Sequence, residues 1–530
     1  MPNIEQIKAI FRQGLHSEAL KQCEKLCLAD PHNIELKRLY ALMHGMMGNY
    51  KASASSLKAI LDHDGNDADA LFNLAVCERE QLNFKEAEVR YLHYTKKFPN
   101  QVEGWVNLAE CQFQLHDFPE SVRSAKSALA LNSASAQAWT IQADSLRAMR
   151  QYEEALTSYN KANQVQPDAI ASLKQGVLLM ELGRYGEAVA SLSSALQVAP
   201  NLVAARSNRA DALNYLGRFE EAVNDYKQVL VDKPVDEAVL KNISACLVKL
   251  NRGGEAIQLF HNALEAQPSL LTAKLGITWV LSKMIPIWHL PMMNELDRNN
   301  AYYLGMQSVI APAKSVLEIG TGSGLLSMMA AKLGACNVVT CEAVSLIAET
   351  AQRIIERNKY QDRIRVLPKT SFDIEVGKDV ADKADILIHE IFSSELIAEH
   401  VLPAIEDAKR RLLKPDARIL PAVASIMIAL VGGDELGKYV YVKDSFGFDL
   451  RNFNAITPRK IPLYRDDLNP KLLSDDIEAF RFDFMNESSF PPQSKILQIM
   501  SKDEGLCYGV LQWIRMEFDE SVAFENHPSL

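Results

Sequence analysis

A glycine-rich turn in the second half of this 530-residue chain has the residue types that hold a nucleotide-like ligand. The segment SVLEIGTGSGLLSMMA starts as an apolar strand, passes through Gly320, Gly322 and Gly324, and continues as an apolar helix. Glycine is needed where the backbone turns sharply against a ligand, and a helix N-terminus then faces that ligand. The dinucleotide-binding fingerprint requires glycine where Leu325 stands, and here Glu318 precedes the three glycines. The turn therefore favours a ligand other than a dinucleotide.

The same turn resembles motif I of the class I methyltransferases, which bind S-adenosyl-L-methionine. This resemblance implies that Glu318 and the turn contact the cofactor, and the turn residues are Gly320, Thr321, Gly322 and Gly324. Glu342, with Ala343 beside it, ends the next predicted strand, where an acid would bind the two ribose hydroxyls. A carboxylate suits that position because it accepts two hydrogen bonds. The alternative is a nucleotide-binding or plain α/β fold in which this acid is incidental.

Two flanking segments narrow the resemblance. Upstream, PIWHLPMMNELDRNNAYYLGM contains a W-H-x-x-M-M pattern followed by D-R-N. Downstream, ADILIHEIFSSELIAEHVLPAIEDAKRRLLKPDARILP follows the fourth predicted strand. Over about residues 286–530 the chain is similar to the protein arginine methyltransferases, and it looks most like members seven and nine. The resemblance implies methyl transfer from S-adenosylmethionine to Arg-containing protein substrates.

The family resemblance also implies roles for single residues around the cofactor. Arg298 would pair with the cofactor carboxylate, since a guanidinium forms two parallel hydrogen bonds with a carboxylate. Met292 would pack near the methyl sulfonium, and Ser371 would lie near the adenine ring. A plain loop serine is an open alternative for Ser371. His289 has no cluster of further metal ligands beside it, so we expect a local structural role and no metal site.

Glu390 and Glu399 match the paired glutamates with which this family grips the substrate guanidinium. A guanidinium is a delocalised cation with a pKa above about 12, and it is therefore a poor nucleophile. Two carboxylates would hold it and orient one terminal nitrogen towards the methyl group. Glu395 competes for the second position. Glu395 and Glu399 would share one face of a helix, and an exposed helix face would explain both without any catalytic role.

Two departures from the family bear on activity. The members that make asymmetric dimethylarginine carry paired tyrosines where this chain has Trp279 and Lys283. We therefore expect a monomethyl or symmetric dimethyl product. The family also closes its substrate site with a Thr-His-Trp-like loop after a strand resembling YGVLQWIRMEF, and no such loop follows here. We expect a truncated chain or an incomplete barrel, and an inactive methyltransferase-like scaffold or a methyltransferase of another substrate is the alternative.

The elements that would position these residues alternate between strands and helices, which predicts a parallel, Rossmann-like sheet. The predicted strands are Ser315–Ile319, Asn337–Cys341, Arg363–Leu367 and Ala384–His389, with helices near Leu325–Leu333 and Leu346–Asn358. From about Arg418 short alternating runs predict a partial β-barrel. Those runs are Ala422–Val431, Tyr439–Val442, Ala479–Phe484 and Gly509–Phe518.

Short turn segments recur through the first half of the chain. Their third positions are His16, Tyr50, Phe84, Phe118, Tyr152, Tyr185, Phe219 and Gly253, at steps of 34, 34, 34, 34, 33, 34 and 34 residues. Three residues later Ala or Ser stands each time, which lets two helices approach closely, and a proline ends most copies. The pattern resembles the tetratricopeptide repeat, which member nine of the family also carries. Eight copies predict an α-solenoid.

Four asparagines occupy one repeat position on the first helix of their pairs. They are Asn73, Asn107, Asn208 and Asn242. In peptide-binding members of the repeat family an Asn there contacts the ligand backbone, and an amide suits this because it donates and accepts. We expect a groove that docks protein partners; the alternative is that these are tolerated surface residues.

The expected domains are the repeats (1–268), a capping helix (269–285), the methyltransferase domain (286–421) and a truncated β-barrel-like subdomain (422–530). A net charge of −10 disfavours nucleic-acid and anionic-membrane binding. The longest apolar run contains Pro421 and is too short to span a bilayer, and the start of the chain is no signal peptide. Eight scattered cysteines favour reduced thiols and a cytoplasmic protein. A homodimer is expected, with Asp444 to Lys460 as its arm.

Overall fold

The computed structural model describes residues 3–393, 395–463 and 468–527. The chain divides into two compact units, residues 1–246 and 247–530. Among the described residues, every helix is too short or too polar to cross a lipid bilayer.

The first unit consists of antiparallel helix pairs, as the repeat pattern predicts. Its helices are α1 (Ile4–Arg12), α2 (His16–Ala29), α3 (Ile34–Met46), α4 (Tyr50–His63), α5 (Ala68–Glu80), α6 (Phe84–Lys97), α7 (Val102–Gln114), α8 (Phe118–Leu131), α9 (Ala136–Ala148), α10 (Tyr152–Val165), α11 (Ala169–Glu181), α12 (Tyr185–Val198), α13 (Val203–Tyr215) and α14 (Phe219–Asp232), and α15 (Glu237–Lys249) crosses into the second unit. Each residue of the recurring turn series begins the second helix of a pair, and the small residue three positions later is buried every time. This confirms the packing role of that small residue.

A left-handed residue ends the first helix of every pair. These residues are Gly14, Gly48, Leu82, His116, Arg150, Gly183, Gly217 and Asn251, with φ between 58° and 84°. The N–H of the following residue donates to a carbonyl in the last turn of the helix, for example Leu15 to Ile10. This hydrogen bond satisfies a carbonyl that the helix end leaves free, so the turn has one defined geometry in all eight copies.

The second unit begins with the end of α15 and continues through α16 (Gly253–Ala266), α17 (Leu271–Met284), α18 (His289–Asn294) and α19 (Leu296–Gln307). The expected helix after the repeats is therefore present as α17. A parallel sheet follows, in the order β3-β2-β1-β4-β5. Its elements are β1 (Ser315–Ile319), α20 (Leu325–Lys332), β2 (Asn337–Cys341), α21 (Ser345–Arg357), β3 (Ile364–Leu367), β4 (Ala384–His389), α22 (Val401–Arg411) and β5 (Leu413–Leu420).

Strand β5 is absent from the sequence prediction. It contains Pro415 and Asp416, which are rare in central strands, and it lies at the edge of the sheet, where a proline is tolerated. The polar residues of β5 interrupt the apolar pattern by which the other strands of this sheet were predicted.

An antiparallel sheet completes the second unit, in the order β10-β6-β11-β12 with β9 beside β6. Its strands are β6 (Val423–Gly432), β9 (Lys471–Leu472), β10 (Ile477–Asp483), β11 (Gly509–Glu517) and β12 (Ala523–Glu525); β7 (Asp444–Ser445) and β8 (Phe448–Asp449) form a separate short hairpin. The strand predicted at Tyr439–Val442 is wrong. Helix α23 (Asp434–Val440) takes its first two residues and the other two have no regular structure, and buried Gly437 of this helix packs directly on the ring of Tyr508.

One apolar core joins the parallel and antiparallel sheets. Fully buried Tyr302 of α19 lies at its centre, and its hydroxyl donates to the carbonyl of His389 at 2.9 Å. The Tyr302 ring also meets the ring of Phe518 edge to face at 4.7 Å. The end of β4 is therefore held in place from the antiparallel side.

Candidate active site

The candidate site lies at the carboxyl edge of the parallel sheet. The last residues of β1, β2 and β4 are register partners, so the residues that follow them stand at one level. Those residues are Gly320, Glu342 and Glu390. Open α/β sheets bind ligands at this edge, where neighbouring connections leave in opposite directions.

The glycine turn approaches the chain that leaves β4. Gly320 has a φ of 90°, and a Cβ there would lie 2.8 Å from the carbonyl oxygen of Glu390. The Glu390 N–H in turn donates to the carbonyl of Ile319 at 3.2 Å. Only glycine at position 320 lets the turn lie this close to the backbone of Glu390. The turn therefore positions Glu390, and it also leads into the N-terminus of α20.

Glu318 points from β1 into the buried side of this turn. The Ser327 hydroxyl donates to its Oε2, while its Oε1 completes no hydrogen bond with another described residue. Burial raises the pKa of Glu318 to about 8, because a charged carboxylate loses its water there. A buried carboxyl oxygen of this kind is able to accept a hydrogen bond from a polar group of a ligand.

Glu342 is anchored by the backbone on both sides. The Gly322 N–H donates to its Oε2 at 3.1 Å, and the Val344 N–H donates to its Oε1 at 3.0 Å. Burial raises the pKa of Glu342, and these backbone hydrogen bonds oppose that rise. Each carboxylate oxygen has a second lone pair, so Glu342 still has acceptors for two donors of a ligand.

Arg298 and Glu390 bind each other in this structure. Arg298 Nη2 lies 3.0 Å from Glu390 Oε1, and their side chains are only 7% and 13% exposed. Arg298 also donates to Asn299 and stands over the ring of Tyr302 at 5.3 Å. Burial raises the pKa of Glu390 to about 7, although the charge of Arg298 opposes this. The resemblance predicts a different partner for each of them, the cofactor carboxylate for Arg298 and the substrate guanidinium for Glu390.

The two competing glutamates lie in different surroundings. Glu399 lines the mouth of the pocket, and partial burial and the charge of Glu342 raise its pKa. Glu395 is exposed and pairs with Lys460. The described residues between Ile391 and His400 form turns, so the interpretation of Glu395 and Glu399 as one helix face is wrong.

Nearly all residues predicted to bind the cofactor line one of two adjoining cavities. The larger cavity, of about 430 Å³, is lined by Met292, Gly320, Gly322, Glu342, Ala343, Ser371, Glu390 and Glu399. The inner cavity, of about 30 Å³, adds Arg298, Glu318 and Thr321. Gly324 lies outside both linings, and its positive φ of 79° shapes the start of α20 instead. The roles of these residues towards a ligand stay predictions.

Aromatic side chains without a predicted role towards a ligand also line the larger cavity. Among them are Trp288, His289, Phe372 and Phe392. His289 has no hydrogen-bond partner among the described residues, and burial lowers its pKa because the charged ring loses its water there. No group of metal-binding side chains is present in the described part of the chain. Phe372 directly follows Ser371, the predicted adenine contact, and this neighbouring position was the only signal in the sequence for a place in the site.

The four asparagines lie on the first helices of their pairs, as predicted. Asn73 and Asn208 donate to carbonyls of their own helices. Asn107 accepts from Arg79 at 2.6 Å, and Asn242 donates to Asp211 at 2.9 Å, so these two join neighbouring repeats. Their contact with a peptide stays a prediction.

Family models match both halves of the chain. Residues 304–421 match the model of the ribosomal protein L11 methyltransferase. Residues 107–162 and 141–203 match the tetratricopeptide repeat, and residues 178–276 match the N-terminal repeat region of Psidin. Residues 17–114 match the coatomer epsilon subunit. The helical repeats and the methyltransferase fold of the two halves are thus supported separately.

A bacterial relative decides the family. An arginine N(omega)-methyltransferase from Streptomyces achromogenes subsp. streptozoticus is 32% identical over 250 residues, which are 47% of this chain and 69% of that protein. This chain belongs to the arginine methyltransferase family. Human protein arginine N-methyltransferase 9 is 26% identical over 354 residues, which are 60% of this chain and 42% of the human protein. Protein arginine N-methyltransferase 7 of Xenopus laevis is 32% identical over 258 residues, which are 45% of this chain and 38% of the Xenopus protein. The chain thus spans less than half of these two vertebrate relatives.

Proposed function

We propose that this protein uses S-adenosylmethionine to methylate arginine side chains of other proteins. One observation carries the proposal: two adjoining cavities at the carboxyl edge of the sheet, which share Glu390, are lined by Arg298 in the inner one and by Glu342 in the larger one. A ligand that carries an amino-acid group and a ribose requires a cation for its carboxylate and an acid for its hydroxyls, which Arg298 and Glu342 provide. A substrate guanidinium requires a further acid, which Glu390 provides.

Three features of the pocket support a fit to S-adenosylmethionine. The glycine turn leaves room for close backbone approach, and the buried Oε1 of Glu318 has no hydrogen-bond partner in the described part of the chain. The larger cavity, of about 430 Å³, lies within the range of small-molecule sites. Arg298 would hold the carboxylate of the cofactor, Glu342 its ribose, and Met292 and Ser371 its remaining surface. When bound, the cofactor supplies an electrophilic methyl group.

The chain's own residues would then orient the substrate. Arg298 and Glu390 neutralise each other now, and a ligand carboxylate at Arg298 would release Glu390 towards a substrate guanidinium. Glu399 at the pocket mouth provides a second carboxylate. Two carboxylates that hold one guanidinium restrict its rotation and turn a terminal nitrogen towards the methyl donor.

The experiment is methyl transfer to an Arg-Gly-rich peptide from labelled S-adenosylmethionine. We expect labelling that is lost in a matched peptide with lysine at every arginine. Mass spectrometry of fragment ions identifies the product, and we expect monomethyl or symmetric dimethylarginine. Equal labelling of both peptides would contradict arginine specificity, and an asymmetric dimethyl product would contradict the argument from Trp279 and Lys283.

We also propose that the repeats recruit protein partners and that the protein acts in the cytoplasm. A concave depression of about 670 Å³ in the first unit supports partner binding. Arg38, Asp69 and Asn73 are among its lining residues. Charged and amide groups of this kind pair with the backbone and side chains of a peptide. A second copy of the chain is a further proposed partner, through the segment from Asp444 to Lys460.

A further inference from the structure

The turn of the eighth repeat differs from the other seven in what its side chain contacts. Asn251 has a φ of 58° and occupies the same left-handed position as Arg150 in the fifth repeat. Asn251 lies in the second unit together with the methyltransferase fold. Its side chain reaches the segment from Ala343 to Ser345, which connects β2 to α21.

Three hydrogen bonds join Asn251 to that segment. Its Oδ1 accepts the N–H of Ser345 at 3.2 Å, and its Nδ2 donates to the carbonyl of Ala343. The Ser345 hydroxyl donates to the backbone carbonyl of Asn251. A primary amide is suited to this because its nitrogen donates a hydrogen bond and its oxygen accepts one in the same plane, as the backbone of a neighbouring β-strand does. The side chain thus holds the backbone on both sides of Val344.

The segment held by Asn251 also orients Glu342. The N–H of Val344 donates to Glu342 Oε1 at 3.0 Å, and Ala343 and Val344 line the larger cavity beside Glu342. Helix α21 has no side-chain cap of its own, since Val344 occupies its N-cap position. The Oδ1 of Asn251 accepts the N–H of Ser345, which is the first residue of α21, and so satisfies one of the N–H groups that the start of the helix leaves free.

A departure from the repeat pattern lies directly after this contact. The position that is aromatic in most other repeats is Gly253, and Gly254 follows it. A Cβ on Gly253 would collide with Met284 Sδ of α17, and one on Gly254 would lie 3.1 Å from Glu349 Oε2 of α21. Gly253 thus lets the start of α16 pack closely on α17, and Gly254 lets it lie close to α21.

We infer that Asn251 is a positioning residue that holds the Ala343–Ser345 segment, and through it Glu342, in the conformation that binds the cofactor ribose. This inference rests on the proposed function, because it concerns the same cofactor site. The last repeat then has a second task besides partner binding. It braces the ribose loop of the methyltransferase fold from a part of the chain that precedes this fold.

The test compares two glycine variants of the full chain. Asn251→Gly keeps the left-handed turn, since glycine adopts positive φ freely, and it removes only the amide. Arg150→Gly makes the same backbone change in the fifth repeat and is the matched control. Asn251→Asp is a third variant, which keeps the acceptor for Ser345 and loses the donor towards Ala343.

Four measurements give the outcome. In the cofactor-free protein, we expect hydrogen exchange at the Ser345 amide to be about tenfold faster in Asn251→Gly than in the wild type or the control, as for the loss of one hydrogen bond. By calorimetry, we expect the Kd of S-adenosylhomocysteine to rise about tenfold in Asn251→Gly and in Asn251→Asp. The KM of an Arg-containing peptide should change less than twofold, and the melting temperature should match that of Arg150→Gly.

The outcomes separate the inference from the proposed function. Unchanged exchange at Ser345 overturns the inference, and so does unchanged affinity in a background where the wild type binds S-adenosylhomocysteine. A wild-type protein that binds no S-adenosylhomocysteine overturns the proposed cofactor and, with it, the assigned role of Glu342. A fall in melting temperature without a change in affinity would show a purely structural contact and would also overturn the inference.

Discussion

Arg298 Nη2 and Glu390 Oε1 lie 3.0 Å apart in a nearly buried ion pair at the carboxyl edge of the sheet. Removing one partner of such a pair leaves an uncompensated buried charge, which is costly. In the proposed complex the cofactor carboxylate takes the place of Glu390 beside Arg298, and the substrate guanidinium takes the place of Arg298 beside Glu390. Cofactor binding and release of Glu390 are therefore expected to be coupled.

Glu390→Gln should lower kcat for arginine methylation by about 100-fold or more, because one of the two carboxylates that orient the guanidinium is lost. Steady-state kinetics with an Arg-Gly-rich peptide measure this. Glu395→Gln is the matched control, since Glu395 is exposed and pairs with Lys460 outside the pocket. Equal losses in both variants would contradict the assignment of Glu390.

Glu342→Gln should weaken binding of S-adenosylhomocysteine about tenfold, as expected for one hydrogen bond to a charged acceptor. The amide keeps an oxygen for one backbone N–H but turns an NH₂ towards the other. Calorimetry gives the Kd, and Glu356→Gln, an exposed change on α21, is the control. An unchanged Kd in Glu342→Gln would exclude this carboxylate from the cofactor site.

The kcat/KM for the peptide should rise with pH through about 7. Burial raises the pKa of Glu390 to about 7, so in the free enzyme this carboxyl is protonated below that value and ionised above it. Only the ionised form attracts a guanidinium. The profile between pH 5.5 and 8.5 should approach a slope of one on its acidic limb. A flat profile, or activity that grows as the pH falls, would contradict this role.

Stability should fall as the pH rises from about 4.5 to about 8, in part through Glu318. The pKa of Glu318 is raised from 4.5 to about 8 by burial, so the folded state binds a proton that the unfolded state has released in this window. That stabilisation is complete below the unfolded pKa and is lost through the folded one. Urea unfolding of Glu318→Gln should show a shallower decline than the wild type. Glu356→Gln should keep the full decline; identical curves for all three proteins would contradict the shift.

Aspartate at both Phe448 and Phe453 should convert a homodimer to a monomer. These rings are 71% and 61% exposed, and Phe446 in the same segment is 99% exposed; exposed apolar side chains grouped in one segment are typical of a contact surface. Sedimentation velocity at several concentrations measures the change. Ile496→Asp, a change at a side chain that is 97% exposed outside this segment, should leave the dimer intact. A wild-type protein that is already monomeric would contradict the proposed arm.

Signals confined to short segments were sufficient for much of the molecule. The repeat period placed every helix pair, because each pair is built from one local pattern of turn, small residue and helix end. The strands before Gly320, Glu342 and Glu390 were predicted within one residue, since each is a short apolar run with a clear end. Their meeting at one edge follows from parallel pairing alone.

Contacts between distant segments were decided only by the tertiary structure. Nothing in the sequence indicates that Arg298 binds Glu390, that Glu395 turns to Lys460, or that Asn251 holds the Ala343–Ser345 segment. Strand β5 and helix α23 escaped prediction for the same reason, because an edge position and the packing of Gly437 on Tyr508 overrode local preference. The sequence by itself determined the repeats, the sheet and the residues at its edge. Which of those residues pair with each other depends on how the folded chain brings separate segments together.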